Sequence, residues 1–141
     1  MSLNKRLMSS APPAFVASEN FGVVAYTGNS SSQAITVGFK PDFVITKPRN
    51  NSGYWWAADS TRGGTKVLST NTSNAEITRS DHIQTFDANG FTLAADGTSN
   101  YDGDATIAYC WKAGGGTTST NSNGSINSTV QTNSDAGFSI I

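Results

Sequence analysis

From Phe21 onward the apolar residues fall in short runs separated by Gly, Asn, Ser and Pro, a rhythm that predicts strands rather than helices. Phe21-Gly22-Val23-Val24-Ala25-Tyr26 closes on Thr27-Gly28-Asn29 and a serine cluster, and is the first predicted strand. Ala34-Ile35-Thr36-Val37 and Phe43-Val44-Ile45-Thr46 follow, joined by Gly38-Phe39-Lys40-Pro41-Asp42, whose proline and acid suit a hairpin or a crossing between sheets. Tyr54-Trp55-Trp56-Ala57 and Lys66-Val67-Leu68-Ser69 read as weaker strands. Ile83-Gln84-Thr85-Phe86 and Phe91-Thr92-Leu93 flank Asp87-Ala88-Asn89-Gly90, where Asn-Gly is expected to supply positive φ at the turn. Ala105 to Lys112 forms the longest run. It sets Ile107, Tyr109 and Trp111 on one face and smaller residues on the other, and is expected to cross the centre of a sheet.

Seven or eight short strands with turn signals at this spacing predict an all-β domain, an antiparallel β-sandwich of jelly-roll-like type, over residues 20–113. Residues 1–19 contain Pro12-Pro13 and no alternation, and are expected to form an extended arm. Residues 114–134 hold only Ile126 and Val130 as aliphatics in a Gly/Ser/Thr/Asn tract, which predicts a polar linker. The segment Ser134-Asp135-Ala136-Gly137-Phe138-Ser139-Ile140-Ile141 echoes Ser18-Glu19-Asn20-Phe21-Gly22-Val23-Val24. Residues 135–141 are therefore expected to open a second repeat, in a polypeptide that continues beyond Ile141.

Composition sharpens this picture. Ser, Thr, Asn and Gly make up close to half of the chain while charged residues are 13%, so hydroxyls and amides hydrate the surface and helix formers are scarce. The net charge is −1 and the nine Lys and Arg are scattered, so there is no footprint for nucleic acid or anionic lipid. A single cysteine, Cys110, precludes an intrachain disulfide. No apolar run is long enough to span a bilayer, and Lys5-Arg6 lead into no apolar segment of a secretion signal, so membrane insertion is not expected and assembly in the cytoplasm is.

Few residues offer chemistry. His82 is the sole histidine, so any Ser-His-Asp or Cys-His device would depend on it; it reads as a surface residue near a loop, and catalysis is not expected. Cys110, inside an apolar run, reads as core. Asp96, Asn100, Asp102 and Asp104 crowd one loop with the oxygen chemistry that a hard cation needs, but their spacing fits no EF-hand and a solvated turn has the same composition. No cofactor motif is present. Tyr54, Trp55 and Trp56 follow a polar loop and are candidates for stacking on a glycan ring, with Arg62 as a further candidate ligand contact. The competing reading of Arg62 is an ion pair with Asp59 that fixes a turn.

Several segments carry a family resemblance. These are Phe21 to Gly28, Gly38-Phe39-Lys40-Pro41-Asp42-Phe43-Val44, Asp59-Ser60-Thr61-Arg62-Gly63, Phe86-Asp87-Ala88-Asn89-Gly90-Phe91-Thr92-Leu93 and Tyr109-Cys110-Trp111-Lys112-Ala113-Gly114-Gly115. Over roughly residues 18–141 the chain resembles a phage-associated domain of unknown function. That domain is found, often in tandem, in tail-fibre-like and other structural proteins of marine phages and cyanophages. Met1-Ser2-Leu3-Asn4-Lys5-Arg6-Leu7 is similar to the start of such proteins. The resemblance implies a virion structural protein whose arm anchors it to the particle. The first expectation is the N-terminal part of a tail fibre or tail appendage acting in attachment and host adsorption. The second is a capsid decoration or cement protein, and the third a glycan-binding or depolymerase module. Expected partners are other virion proteins, further copies of the chain (a trimer in a fibre) and a host-surface glycan. The resemblance brings no catalytic residues.

Overall fold

A computed structural model describes residues 15–95 and 97–141, and it is an all-β sandwich. Its first layer is a six-stranded antiparallel sheet, in the order β1 (Phe21–Thr27), β9 (Ala105–Trp111), β3 (Phe43–Pro48), β4 (Trp56–Asp59), β5 (Lys66–Ser69) and β6 (Ile77–Thr78). The second layer is a three-stranded sheet, β2 (Gln33–Thr36), β8 (Gly90–Leu93) and β7 (Ile83–Asp87). Gly38, with φ of 103°, lies in the connection from β2 to β3, which crosses between the layers. The core lies where the inner faces meet: Ile35, Ile83, Phe91 and Leu93 from the smaller sheet against Val44, Trp56, Ala58, Val67, Ala108 and Cys110 from the larger. Covering one face of each sheet removes its apolar side chains from water, which is what drives two sheets together.

Strand β9 is the informative one. It is an interior strand, second in the order between β1 and β3 rather than at the centre of the sheet, and Thr106, Ala108 and Cys110 point into the core with no exposure. Its large residues, Ile107, Tyr109 and Trp111, point the other way, onto the outer face of the six-stranded sheet. Small inward residues let the second layer bring Phe91 and Leu93 close.

The Asp87–Gly90 turn joins β7 to β8, but not through positive φ: neither Asn89 nor Gly90 has it. Gly90 is required for a different reason, because a Cβ there would overlap the Ile35 carbonyl oxygen of the paired strand β2. Strand β4 begins at Trp56, two residues later than the sequence suggests. Tyr54 and Trp55 precede it, and the Trp55 N–H donates to Asn71 Oδ1 at 3.1 Å.

The tract expected to be a linker is structured. β10 (Ser119–Asn121), β11 (Ser128–Asn133) and β12 (Phe138–Ile140) form a third, antiparallel sheet in that order. Within residues 135–141, Phe138–Ile140 pair with β11. Aliphatic content misleads here because a polar residue does the anchoring. Gln131 is wholly buried; its Nε2 donates to Ser60 Oγ at 2.9 Å and Thr61 Oγ1 at 2.6 Å, and its Oε1 accepts from the Gly116 N–H at 3.0 Å. Ser60 Oγ in turn donates to Asp42 Oδ1 at 2.7 Å, while Asp42 Oδ2 accepts the N–H groups of Ala113 and Gly115, both at 2.8 Å. A buried, saturated polar network therefore ties the start of β3, the β4–β5 turn, the 113–116 segment and β11 together. Of the expected arm, residues 1–14 lie outside the described residues, and Ala17–Glu19 form one 3-10 turn.

Candidate functional site

The outer face of the six-stranded sheet is apolar where water would favour polar side chains. Register places Phe21, Trp111 and Phe43 in one row across β1, β9 and β3. Val23, Tyr109, Ile45, Ala57 and Leu68 form the next row, extending to β4 and β5, and Ala25, Ile107 and Lys47 the third. Down this face runs a line of rings. Trp55 stacks on Tyr109, with centroids 6.3 Å apart and planes 13° apart; Tyr109 is 6.5 Å from Trp111, and Trp111 is 6.2 Å from Phe138 of β12. Phe21 and Phe43 flank Trp111 at 5.1 and 5.5 Å in tilted geometry. These offset arrangements are those that aromatic quadrupoles favour. The third sheet covers only one end of the strip, through Phe138, and Phe21 and Val23 remain 42% and 50% exposed. Between the sheets Phe43, Leu68, Phe138 and Ile140 line a cleft of about 600 Å³, with Asp59 and Arg62 among its walls.

The predicted aromatic trio does not form one platform. Trp55 joins the outer strip, whereas Trp56 points inward and is buried, with Tyr54 tilted against it at 5.3 Å and the Arg79 guanidinium 5.6 Å over its ring. Arg62 is engaged internally. Its Nε donates to Asp59 Oδ2 at 2.6 Å, its Nη1 to Glu76 Oε2, and Asp59 Oδ1 accepts the backbone N–H groups of Thr61 and Arg62 at 3.0 and 2.8 Å. This is the turn-fixing ion pair, and it engages Nε and Nη1 of the guanidinium.

The candidate cation loop is divided in the same way. Asn100 is buried, donating through Nδ2 to the carbonyls of Ser31 and Ala94 at 2.6 and 2.9 Å and accepting the Asn29 N–H at 3.2 Å. Asp104 accepts from Asn51 Nδ2 at 2.8 Å, Asp102 is exposed, and Asp96 lies outside the described residues. Among the described residues no three acidic, His or Cys side chains gather as a metal-binding group.

His82 is not a surface residue. It is wholly buried, with Nε2 3.3 Å from Thr46 Oγ1, which is 2.6 Å from Ser99 Oγ, and the Ser99 carbonyl accepts the Tyr26 hydroxyl at 2.8 Å. Burial lowers its pKa to about 4, so the imidazole is neutral at ordinary pH. Burial also raises the Tyr26 hydroxyl, and pushes the Cys110 thiol up to about 12 within the core. These groups are closed off from solvent rather than arranged around a reacting atom.

Sequence reading found Tyr109 and Trp111 on one face of their strand but missed Phe21, Phe43 and Phe138 as their neighbours. The signal available was the size asymmetry of β9, which marks one face as close-packed and the other as rich in rings. Among the described residues no helix is long and apolar enough to cross a membrane.

A family model described as a domain of unknown function (DUF7483) matches residues 16–141, and the chain belongs to that family. The match includes β10 to β12, so the third sheet falls within the family's unit. No curated protein and no solved structure matches the chain.

Proposed function

We propose that this chain is a non-enzymatic structural module of a bacteriophage virion, serving in a tail fibre or tail appendage in attachment and host adsorption. The observation that carries the assembly role is the outer strip of Trp55, Tyr109, Trp111, Phe21 and Phe43. An apolar, ring-rich sheet face left partly open to water is costly unless another surface covers it. The phage assignment draws on the sequence resemblance, and the sandwich is compatible with it. The covering surfaces in this reading are other virion proteins and further copies of the chain.

Immunogold labelling of purified particles of the phage that encodes this sequence, with antibody raised against the folded chain, tests the reading. Gold along the tail or its appendages is the expected result. Gold over the shell would replace the fibre by a capsid decoration protein, and particles free of label would overturn the virion assignment altogether. A glycan-binding role is favoured by one observation, the outward stacked pair Trp55 and Tyr109, whose flat faces suit a pyranose ring. Quenching or enhancement of tryptophan fluorescence by host-surface polysaccharide, abolished by Trp55→Ala, would support it. An unchanged spectrum would remove it.

A further inference from the structure

Among the described residues β1 is a terminal strand of the six-stranded sheet, paired with β9 on one side only. The Lys112 N–H bonds the Asn20 carbonyl at 2.9 Å and the Gly28 N–H bonds the Asp104 carbonyl at 2.9 Å. These bonds fix the phase of the ladder, so that even-numbered residues of β1 direct their backbone groups toward β9. Phe21, Val23, Ala25 and Thr27 therefore direct their N–H and C=O groups away from the sheet. Among the described residues none of these groups has a hydrogen-bond partner beyond the strand.

Sheet edges are usually blunted by a lysine, a proline or a bulge, because a bare ladder templates the pairing of another strand. β1 has none of these. It is seven residues long, regular in register throughout and uncharged. Its outward side chains also taper along the strand, from Phe21 and Val23 to Ala25 and Thr27.

We propose that β1 pairs antiparallel with β1 of a second copy of this chain about a two-fold axis at Val24, joining two six-stranded sheets into one. In that register Phe21 lies opposite Thr27 of the partner and Val23 opposite Ala25, so each large side chain meets a small one and every outward N–H meets a carbonyl. With no charge on the strand, the self-pairing brings no like charges together. Reversal of the taper by the two-fold is what selects a second copy as occupant. The outer faces of the two copies become continuous, since a two-fold normal to the sheet preserves its sides. This contact does not depend on the virion reading.

Sedimentation equilibrium of the full chain at high micromolar concentration, together with residue-resolved amide exchange, tests the proposal. The expected species has twice the 14.8 kDa chain mass, with slow exchange at the amides of Val23 and Ala25. Ala25→Pro removes one edge donor at a position where proline leaves the β9 pairing intact, and should return the mass to 14.8 kDa with the folded tryptophan spectrum retained. Val23→Lys is the second variant and should do the same by setting a charge against each partner strand. A monomer at all concentrations, a trimer, or a dimer that both folded variants leave intact with fast-exchanging β1 amides would each overturn it.

Discussion

Removing the Asp42 carboxylate should cost far more than neutralising it. The group is wholly buried and accepts three hydrogen bonds, from Ser60 Oγ at 2.7 Å and from the N–H groups of Ala113 and Gly115 at 2.8 Å. Hydrogen bonds to a charged acceptor contribute about 1.5–3 kcal/mol each, and a buried donor stripped of its partner costs about 1–3 kcal/mol. In Asp42→Ala the Ala113 N–H is left buried and unpaired, whereas the Gly115 N–H and the half-buried Ser60 hydroxyl turn to water, Ser60 Oγ still accepting from Gln131 Nε2. Release of a buried charge offsets part of the loss. The expected net destabilisation is about 3–5 kcal/mol. Asp42→Asn can present its amide oxygen to both N–H groups and its NH2 to Ser60 Oγ, so its cost should be about 1 kcal/mol. Urea denaturation followed by tryptophan fluorescence reads both values, with the midpoint shifting at constant slope. Because the same network carries Gln131, Asp42→Ala should also speed proteolytic cleavage between β10 and β11. Equal costs for the two variants, or an alanine cost under about 1 kcal/mol, would refute the claim that this network fastens the third sheet.

The pKa of His82 falls to about 4 in the fold against an ordinary 6.5, so the unfolded chain binds its proton first as pH drops. The stability it contributes is complete above 6.5 and is lost as pH falls from 6.5 to about 4, by roughly 3 kcal/mol. Urea midpoints at about pH 7.5 and about pH 4.5 should separate widely for the native chain and much less for His82→Asn, while equal separations would contradict the assignment. Gly90→Ala drives a methyl group into the Ile35 carbonyl and should destabilise by about 3 kcal/mol, lowering the thermal midpoint by at least about 5 °C; an unchanged midpoint would show that β2 can move aside. Cys110, wholly buried with its thiol held near a pKa of about 12, should resist a disulfide reagent until the chain unfolds, and labelling of the native protein within the mixing time would show that the sandwich opens readily.

Strands that alternate cleanly were legible in the sequence: β1, β2, β3, β5, β7, β8 and β9 fall where apolar periodicity puts them, because one face of each is pressed against the other layer. Polar burial was not legible. His82 and Gln131 look like surface residues by composition, yet each is buried where hydroxyl partners meet it, Thr46 for the histidine and Ser60 with Thr61 for the glutamine. Those partners are 36, 71 and 70 residues away in sequence, beyond the reach of any local pattern. The third sheet was missed for this reason, since β11 has a single aliphatic, the buried Val130. At the candidate site, Tyr54, Trp55 and Trp56 were conspicuous as neighbours, but pleating sends consecutive residues to opposite sides, and the strip depends on cross-strand neighbours that only register reveals.

The inversion of β9 also decides where this molecule can change. In most sandwiches bulky residues secure the interior and surface positions are free, but here the tight positions are the small ones: Thr106, Ala108 and Cys110. Enlarging them would force two layers apart, whereas Tyr109 and Trp111 meet the rings of Trp55, Phe21, Phe43 and Phe138 across the outer face, where a change of size displaces no layer of the sandwich core. A library randomised at 107, 109 and 111 should therefore be rich in folded members with altered associations, and one randomised at 106, 108 and 110 should be nearly empty. Core packing and the outer strip thus occupy alternate residues of a single strand, and on the proposed function a lineage could exchange partners without renegotiating its architecture.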